Sequence, residues 1–364
     1  MLSELDLHIT NRCTTSCAYC CFSSNRKELP ELTTIEFKHI IDEAKCLGCT
    51  HVHFTGGEPL IRDDIYELIR YANQSGLEMR LQTNGMLLTK ATALKLMQSG
   101  LTSIMISLDS DRPIEHDKLR GDGTWIAAVE AIKNALEVGL SVRVNSVLTK
   151  ENCSRIHKTI SFVQKMGVKK YSAFYFSPIG CGAIMKKIWI EPNEYMQYWK
   201  DVKVELQSDR AISEMDIVIE KGYADWQEAS SINIKGFTGC GGGCNHTYNS
   251  RDYLIVRCDG NVYPCIMSID HEALGNVKES SLKDIHSNSA LWSKMLPTHD
   301  TFCDDCEHYE ICGEGCRYYP QSQEGHDIRC VKNKVVPLCP IMKYNTRNDT
   351  LGGSSDDVMT ESVK

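Results

Sequence analysis

The chain has 364 residues, 42% hydrophobic and 24% charged, enough for one large or two ordinary globular domains with proper cores. A net charge of −8 without any basic stripe argues against nucleic acid or an anionic membrane as a partner. No apolar run reaches transmembrane length and no basic-then-apolar leader precedes the first cysteines, so a cytoplasmic protein is expected.

Two periodicities alternate from residue 4 to about 200. "ELDLHIT" reads as a strand, followed by a loop dense in cysteine. Phe37, Ile40, Ile41 and Ala44 then fall on one helical face, with Thr33 and Glu36 as a capping box and Gly48 as the stop. "HVHFT" is the next strand, ending at Gly56 and Gly57. Asp63 is expected to cap a second helix carrying Ile65, Leu68, Ile69 and Ala72, stopped by Gly76. The beat continues through strand "EMRLQTNG", a helix over 89–99, strand "TSIMISLD", helix "TWIAAVEAIKNALEVG", strand "SVRVNSVL", a helix over 152–166 and strand "YSAFYF". Six strands in this rhythm predict a parallel α/β sheet with helical crossovers, a partial (β/α)6 barrel or open sheet rather than the full eightfold barrel.

The sequence divides into a core over 1–200, a helical or irregular bridge over 201–239, a cysteine-rich module over 240–344 and a polar, disordered tail over 345–364. Ligands rather than a large apolar core are expected to hold the module together. The 18 cysteines follow this division: four lie within 13–21 and nine between 240 and 330, while 50–239 holds only Cys153 and Cys181. A reducing compartment makes metal ligation a better reading than disulfides.

Cys13, Cys17 and Cys20 form C-x3-C-x2-C after the first strand, one thiolate short of a closed four-cysteine site. A zinc site or buried thiols is the plainer alternative. The next strand ends in "TGGEP", where two glycines allow close backbone approach and Glu58 adds a carboxylate. Together these motifs resemble the radical S-adenosylmethionine (SAM) superfamily. The resemblance implies that Cys13, Cys17 and Cys20 hold a [4Fe–4S] cluster whose open iron chelates the amino and carboxylate groups of SAM. It also implies SAM cleavage to a 5′-deoxyadenosyl radical that abstracts a substrate hydrogen. Gly56, Gly57, Glu58 and Pro59 would orient the methionine amino group, and Tyr19 would lie near the adenine. Ser107 in "SLDS" and Asn145 are candidate ribose or carboxylate contacts, with a plain strand-end turn as the other reading. "QTNG" is a further strand-end match, and His116 and Arg120 in "HDKLRG" have no assigned role. Cys21 is expected to be a buried thiol, Cys46 and Cys49 to belong to packing, and Cys339 to be structural.

The second cysteine group reads Cys244-x15-Gly260-x4-Cys265, then Cys303, Cys306, Cys312 and Cys316, then Cys330. Alone it could be a zinc ribbon. Beside such a core it resembles a SPASM domain, which implies two auxiliary clusters. One takes Cys303, Cys306, Cys312 and Cys330; the other takes Cys244, Cys265 and Cys316, with Cys240 or Cys258 as candidate fourth ligand. Extra clusters make sense as stores for single electrons.

The resemblance implies modification of a peptide by crosslinking, thioether formation, oxidation or epimerisation. The alternative is epimerisation or dehydrogenation of a small molecule such as an aminoglycoside or tetrapyrrole. Sulfatase maturases are relatives, but Ile266 stands where they carry aspartate. The chain starts at its first strand, so leader recognition would fall to a separate protein. Flavodoxin or ferredoxin is the expected electron donor. Rivals from other classes are an iron–sulfur electron carrier or redox sensor and a zinc-stabilised binding module. No acid is chosen among Asp109, Glu191 and Tyr263.

Overall fold

The computed structural model describes residues 1–190, 198, 202, 204–206, 212, 214–219, 251–290 and 292. The strands are β1 (Glu4–His8), β2 (His51–Thr55), β3 (Glu78–Thr83), β4 (Ser103–Ser107), β5 (Ser141–Leu148), β6 (Lys170–Tyr175), β7 (Asp216–Ile219), β8 (Tyr253–Arg257), β9 (Asn261–Tyr263) and β10 (Gly275–Asn276). Helices α1 (Thr34–Cys46), α2 (Ile65–Gln74) and α3 (Lys90–Gln98) fill the first three crossovers. Both α4 (Pro113–Arg120) and α5 (Thr124–Glu137) lie between β4 and β5, α6 (Ile156–Lys165) precedes β6, and α7 (Leu282–Ser287) follows β10.

The sheet runs β10-β9-β8-β1-β2-β3-β4-β5-β6-β7. All pairings from β8 to β7 are parallel, and the two at the β9–β10 edge are antiparallel. From β1 to β7 each strand pairs with its successor, so right-handed crossovers all advance in one direction and place their helices on one face. Leu5, Leu7, Val52, Phe54, Leu81, Ile104, Ile106, Val142 and Val144 share one core with Phe37, Leu68 and Ile132 of those helices. Alternate strand residues therefore point away from the helices, into the concave face of a partial barrel.

Local signals explain the first helix well. Thr33 and Glu36 form both halves of a capping box, and Phe37, Ile40, Ile41 and Ala44 are buried. The start of α2 differs from expectation: Asp64 rather than Asp63 is the N-cap. Its carboxylate takes Arg62 Nε (2.8 Å), Arg62 Nη2 (2.6 Å) and the Thr34 hydroxyl (2.6 Å), which ties the starts of α1 and α2 together.

Other expectations need correcting. The bridge over 201–239 contains β7, whose Ile217 and Ile219 join the main core. The cysteine-rich module contributes β8, paired with β1, and its Leu254, Val256 and Val262 also enter that core. Both segments are short aliphatic runs, and they are buried by pairing with strands made far away in the chain. Cys46 is exposed, so only Cys49 of that pair is packed. The 345–364 tail lies outside the described residues. No helix among the described residues is long and apolar enough to cross a membrane.

Candidate active site

The cysteine loop leaves the carboxyl end of β1, where parallel sheets of this kind offer ligand sites. Two bare backbones press on it. Gly57 N–H donates to the Thr10 carbonyl (2.7 Å) and Glu58 N–H to that of Arg12 (2.9 Å). A Cβ on Gly57 would come within 2.1 Å of the Arg12 oxygen. Elsewhere on the loop, Cys181 N–H donates to the Cys20 carbonyl (2.9 Å), and a Cβ on Gly180 would lie 2.2 Å from the Cys21 oxygen. The close approach expected of the "GGEP" glycines is thus toward the cysteine loop itself. Asn25, in the left-handed region at φ 63°, clamps the loop from within. Its Oδ1 accepts from Cys13 N (2.8 Å) and its Nδ2 donates to the Cys13 (2.7 Å) and Thr15 (3.1 Å) carbonyls.

Cys13, Cys17 and Cys20 are unpaired and half-buried. Asn84 Nδ2 reaches the Cys13 sulfur (3.5 Å) and the Ser24 amide that of Cys20 (3.4 Å). The Thr15 hydroxyl lies 3.4 Å from the Cys13 sulfur and 3.5 Å from that of Cys17. Burial pushes the Cys13 and Cys17 thiols up, so a metal must displace their protons on binding. Three thiols with donors aimed at sulfur fit an iron–sulfur cluster, whose potential such bonds tune.

Glu58 is completely buried. Burial pushes its carboxyl up to about 7, against the pull of hydrogen bonds from Asn84 N (2.8 Å), the Thr83 hydroxyl (2.8 Å) and Leu60 N (3.1 Å). The carboxylate expected to meet a methionine amino group is therefore engaged by this chain's own donors. It sets the turn and, through Asn84, the Cys13 end of the loop. Pro59 is buried at the start of the short 3₁₀ turn that follows.

On the far side, Asp109 is a buried hub. It takes Arg120 Nε (2.6 Å), Arg120 Nη2 (3.1 Å), the Val147 amide (2.9 Å) and the Tyr19 hydroxyl, while its own N–H donates to His116 Nδ1 (3.1 Å). Burial alone would raise the Asp109 pKa; the Arg120 guanidinium reverses this and holds it below the ordinary carboxylate range. Ala18 N–H donates to the Leu119 carbonyl (2.8 Å), so the end of α4 braces the loop. The Tyr19 ring packs with Leu119, Phe176 and Ile188. Ser107, the last residue of β4, is the register partner of Asn145 within β5, and the Ser172 hydroxyl donates to Asn145 Oδ1 (2.9 Å).

Sequence reasoning passed over Asn25 and left Arg120 and His116 without a role. Asn25 announces itself only through the positive φ that asparagine tolerates.

The second cysteine group is described at two positions. Cys265 is buried with Ile255, Tyr263, Met267, Cys21 and Phe22. Cys258 is buried too, but its carbonyl accepts from Leu32 N (2.7 Å) and Glu31 is among its charged neighbours, on the α1 side. Strand alternation puts Arg257 on the concave face and Cys258 behind it. Cys240, Cys244, Cys303, Cys306, Cys312, Cys316, Cys330, Cys339 and Glu191 lie outside the described residues.

A thiol triad after the carboxyl end of β1, braced by neighbouring strand ends, carries the donor types of an iron–sulfur site. Residues 7–163 match the sequence model of the radical SAM superfamily, and 244–313 that of SPASM, an iron–sulfur cluster-binding domain. The chain belongs to the radical SAM superfamily, carries a SPASM domain, and is an enzyme dependent on [4Fe–4S] clusters and SAM. Neither rival class, the electron carrier nor the zinc module, survives this.

It is 28% identical over 319 residues to the AdoMet-dependent heme synthase of Methanosarcina barkeri, covering 85% of this chain and 89% of that one. Mycofactocin maturase MftC of Mycobacterium tuberculosis is 26% identical over 343 residues, 92% of this chain and 84% of its own. PqqA peptide cyclase of Granulibacter bethesdensis is 29% identical over 329 residues, 87% and 82%. Among solved structures, Streptococcus suis SuiB bound to precursor peptide SuiA superposes with a TM-score of 0.71 at 20% identity, over 87% of this chain and 72% of that one.

Proposed function

We propose that the enzyme modifies a ribosomally made peptide by crosslinking, thioether formation, oxidation or epimerisation. One observation carries the reading: three donor-supported thiols lie on a loop whose following residues, Cys21 and Phe22, pack beside Cys265 of the second cysteine group. Similarity to a PqqA peptide cyclase, and the fold shared with a SuiB–precursor peptide complex, support a peptide as substrate. Cys13, Cys17 and Cys20 would hold a [4Fe–4S] cluster, which would supply the electron for reductive cleavage of SAM. The chain's own residues set the geometry. Asn84, Ser24 and Asn25 fix the loop, backbone around Gly56 and Gly57 carries it, and Ser107 and Asn145 offer polar groups on paired strands. Cysteines over 240–344 would hold auxiliary clusters able to accept a single electron from the substrate. A flavodoxin or ferredoxin supplies the reducing electron, a separate small protein presents the leader, and the cytoplasm is the setting.

A second reading, a tetrapyrrole substrate, is favoured by the likeness to AdoMet-dependent heme synthase. Anaerobically reconstituted, reduced enzyme is incubated with SAM and either a short peptide encoded beside its gene or an iron porphyrin. Mass spectrometry is expected to show 5′-deoxyadenosine and a peptide lighter by about two hydrogens or labelled with solvent deuterium. A changed porphyrin beside an unchanged peptide would reverse the assignment.

A further inference from the structure

Buried polar atoms in native proteins almost always have partners, so a cluster without them calls for an explanation. On the concave face, β8, β1 and β2 carry such a cluster. His8 is completely buried and neither ring nitrogen has a hydrogen-bond partner; Arg257 Nε is also buried and unpartnered. The two residues are register partners on β1 and β8, at the strand ends just before the cysteine loop. The His8 ring lies against Phe22, with centroids 4.1 Å apart, and Phe22 packs beside Cys265. Tyr263, from β9, places its hydroxyl beside the Arg257 guanidinium. Burial, and then the Arg257 charge, lowers the His8 pKa to about 3, so the imidazole is neutral and offers one N–H.

One row deeper, Asp6 accepts the Tyr253 hydroxyl (2.6 Å) and lies 2.9 Å from His53 Nδ1. The deeper row thus brings its own acidic group, whereas in the upper row Arg257 forms no ion pair among the described residues, Asp259 and Asp270 being charged neighbours of Tyr263. The complement of a fixed guanidinium beside a neutral N–H is a carboxylate, which accepts from both.

We propose that His8, Arg257 and Tyr263 form a carboxylate-binding site that seats an acidic group of the substrate between the cysteine loop and Cys265. The site deepens the functional reading above, resting on its proposal that a substrate is modified beside the cysteine loop. An acidic residue or the free carboxyl terminus of a peptide has the required group, and so does SAM itself.

Glutarate serves as the probe, with glutaramide as its neutral control, titrated calorimetrically into reconstituted holoenzyme with and without saturating SAM. Glutarate is expected to bind, glutaramide not, and SAM to leave glutarate binding in place. Arg257→Gln should weaken glutarate by about tenfold or more, and Arg257→Lys by less. Variants are compared at matched iron content; where Arg257→Gln does not fold, Tyr263→Phe and His8→Gln replace it, each expected to weaken binding. Equal binding of glutaramide, absence of glutarate binding, or variants with unchanged affinity would overturn the site. Loss of glutarate binding on adding SAM would give the carboxylate to the cofactor and end the substrate assignment. Because no peptide enters this experiment, it can succeed where the peptide reading fails, and fail where that reading holds.

Discussion

The two described cysteine segments use opposite surroundings. The loop over 13–20 keeps its thiols half-buried, supported by amide and hydroxyl groups from Asn84, Thr15 and Ser24. Cys265 instead sits fully buried among Ile255, Tyr263 and Met267, in an apolar setting. A metal site that must admit a cofactor needs an open flank and rigid polar bracing; one that handles only electrons can be enclosed. On the proposed assignment, access and support, more than the count of thiols, would separate the catalytic centre from the auxiliary one.

Replacing one thiol in each segment tests this most strongly. Cys13→Ala should reduce 5′-deoxyadenosine formation to background. Cys265→Ala should lower iron by about four per chain while SAM is still split, with product formation lost. Equal loss of SAM cleavage in both variants would erase the distinction.

The bracing comes next. Asp109→Asn leaves Arg120 buried without its anion and should cost about 3–5 kcal/mol in chemical denaturation. In the parent protein the depressed Asp109 pKa gives stability that is present above about pH 4 and lost as pH falls through its folded value.

Glu58 has the opposite sign. Its carboxyl is raised from 4.5 to about 7, so the folded state holds a proton that the unfolded chain has released across that window. Stability should therefore fall by about 3 kcal/mol as pH rises from 4.5 to 7 and level off above. Glu58→Gln should flatten the profile, measured as thermal midpoint against pH. A profile unchanged in the variant would show that another group carries the dependence.

The smallest effect lies far from both cysteine segments. Thr33→Ala removes the N-cap of α1 and should cost about 1 kcal/mol without altering iron content or SAM cleavage.

Much of the core was legible because its cues are local. Thr33 and Glu36 lie three residues apart, and the buried residues of α1 follow one helical stripe. The thiol triad and "GGEP" are equally compact in sequence. What escaped depends on distant partners or on polar burial. Helix α4 buries His116 and Arg120 and exposes Ile114, so its hydrophobic pattern is misleading until Asp109 is seen opposite. Strands β7 and β8 are short, and β8 finds β1 across most of the chain. Glu58 could be named from the motif, but not its enclosure by Thr83, Asn84 and Leu60, which only the turn's path decides.

The hydrogen-only positions at 57 and 180 have a consequence for recognising inactive copies of this enzyme. A methyl group at Gly57 would intrude on the Arg12 carbonyl at 2.1 Å, and one at Gly180 on that of Cys21 at 2.2 Å. A duplicated gene could therefore retain every cysteine and still encode a pseudoenzyme, betrayed by alanine at either place.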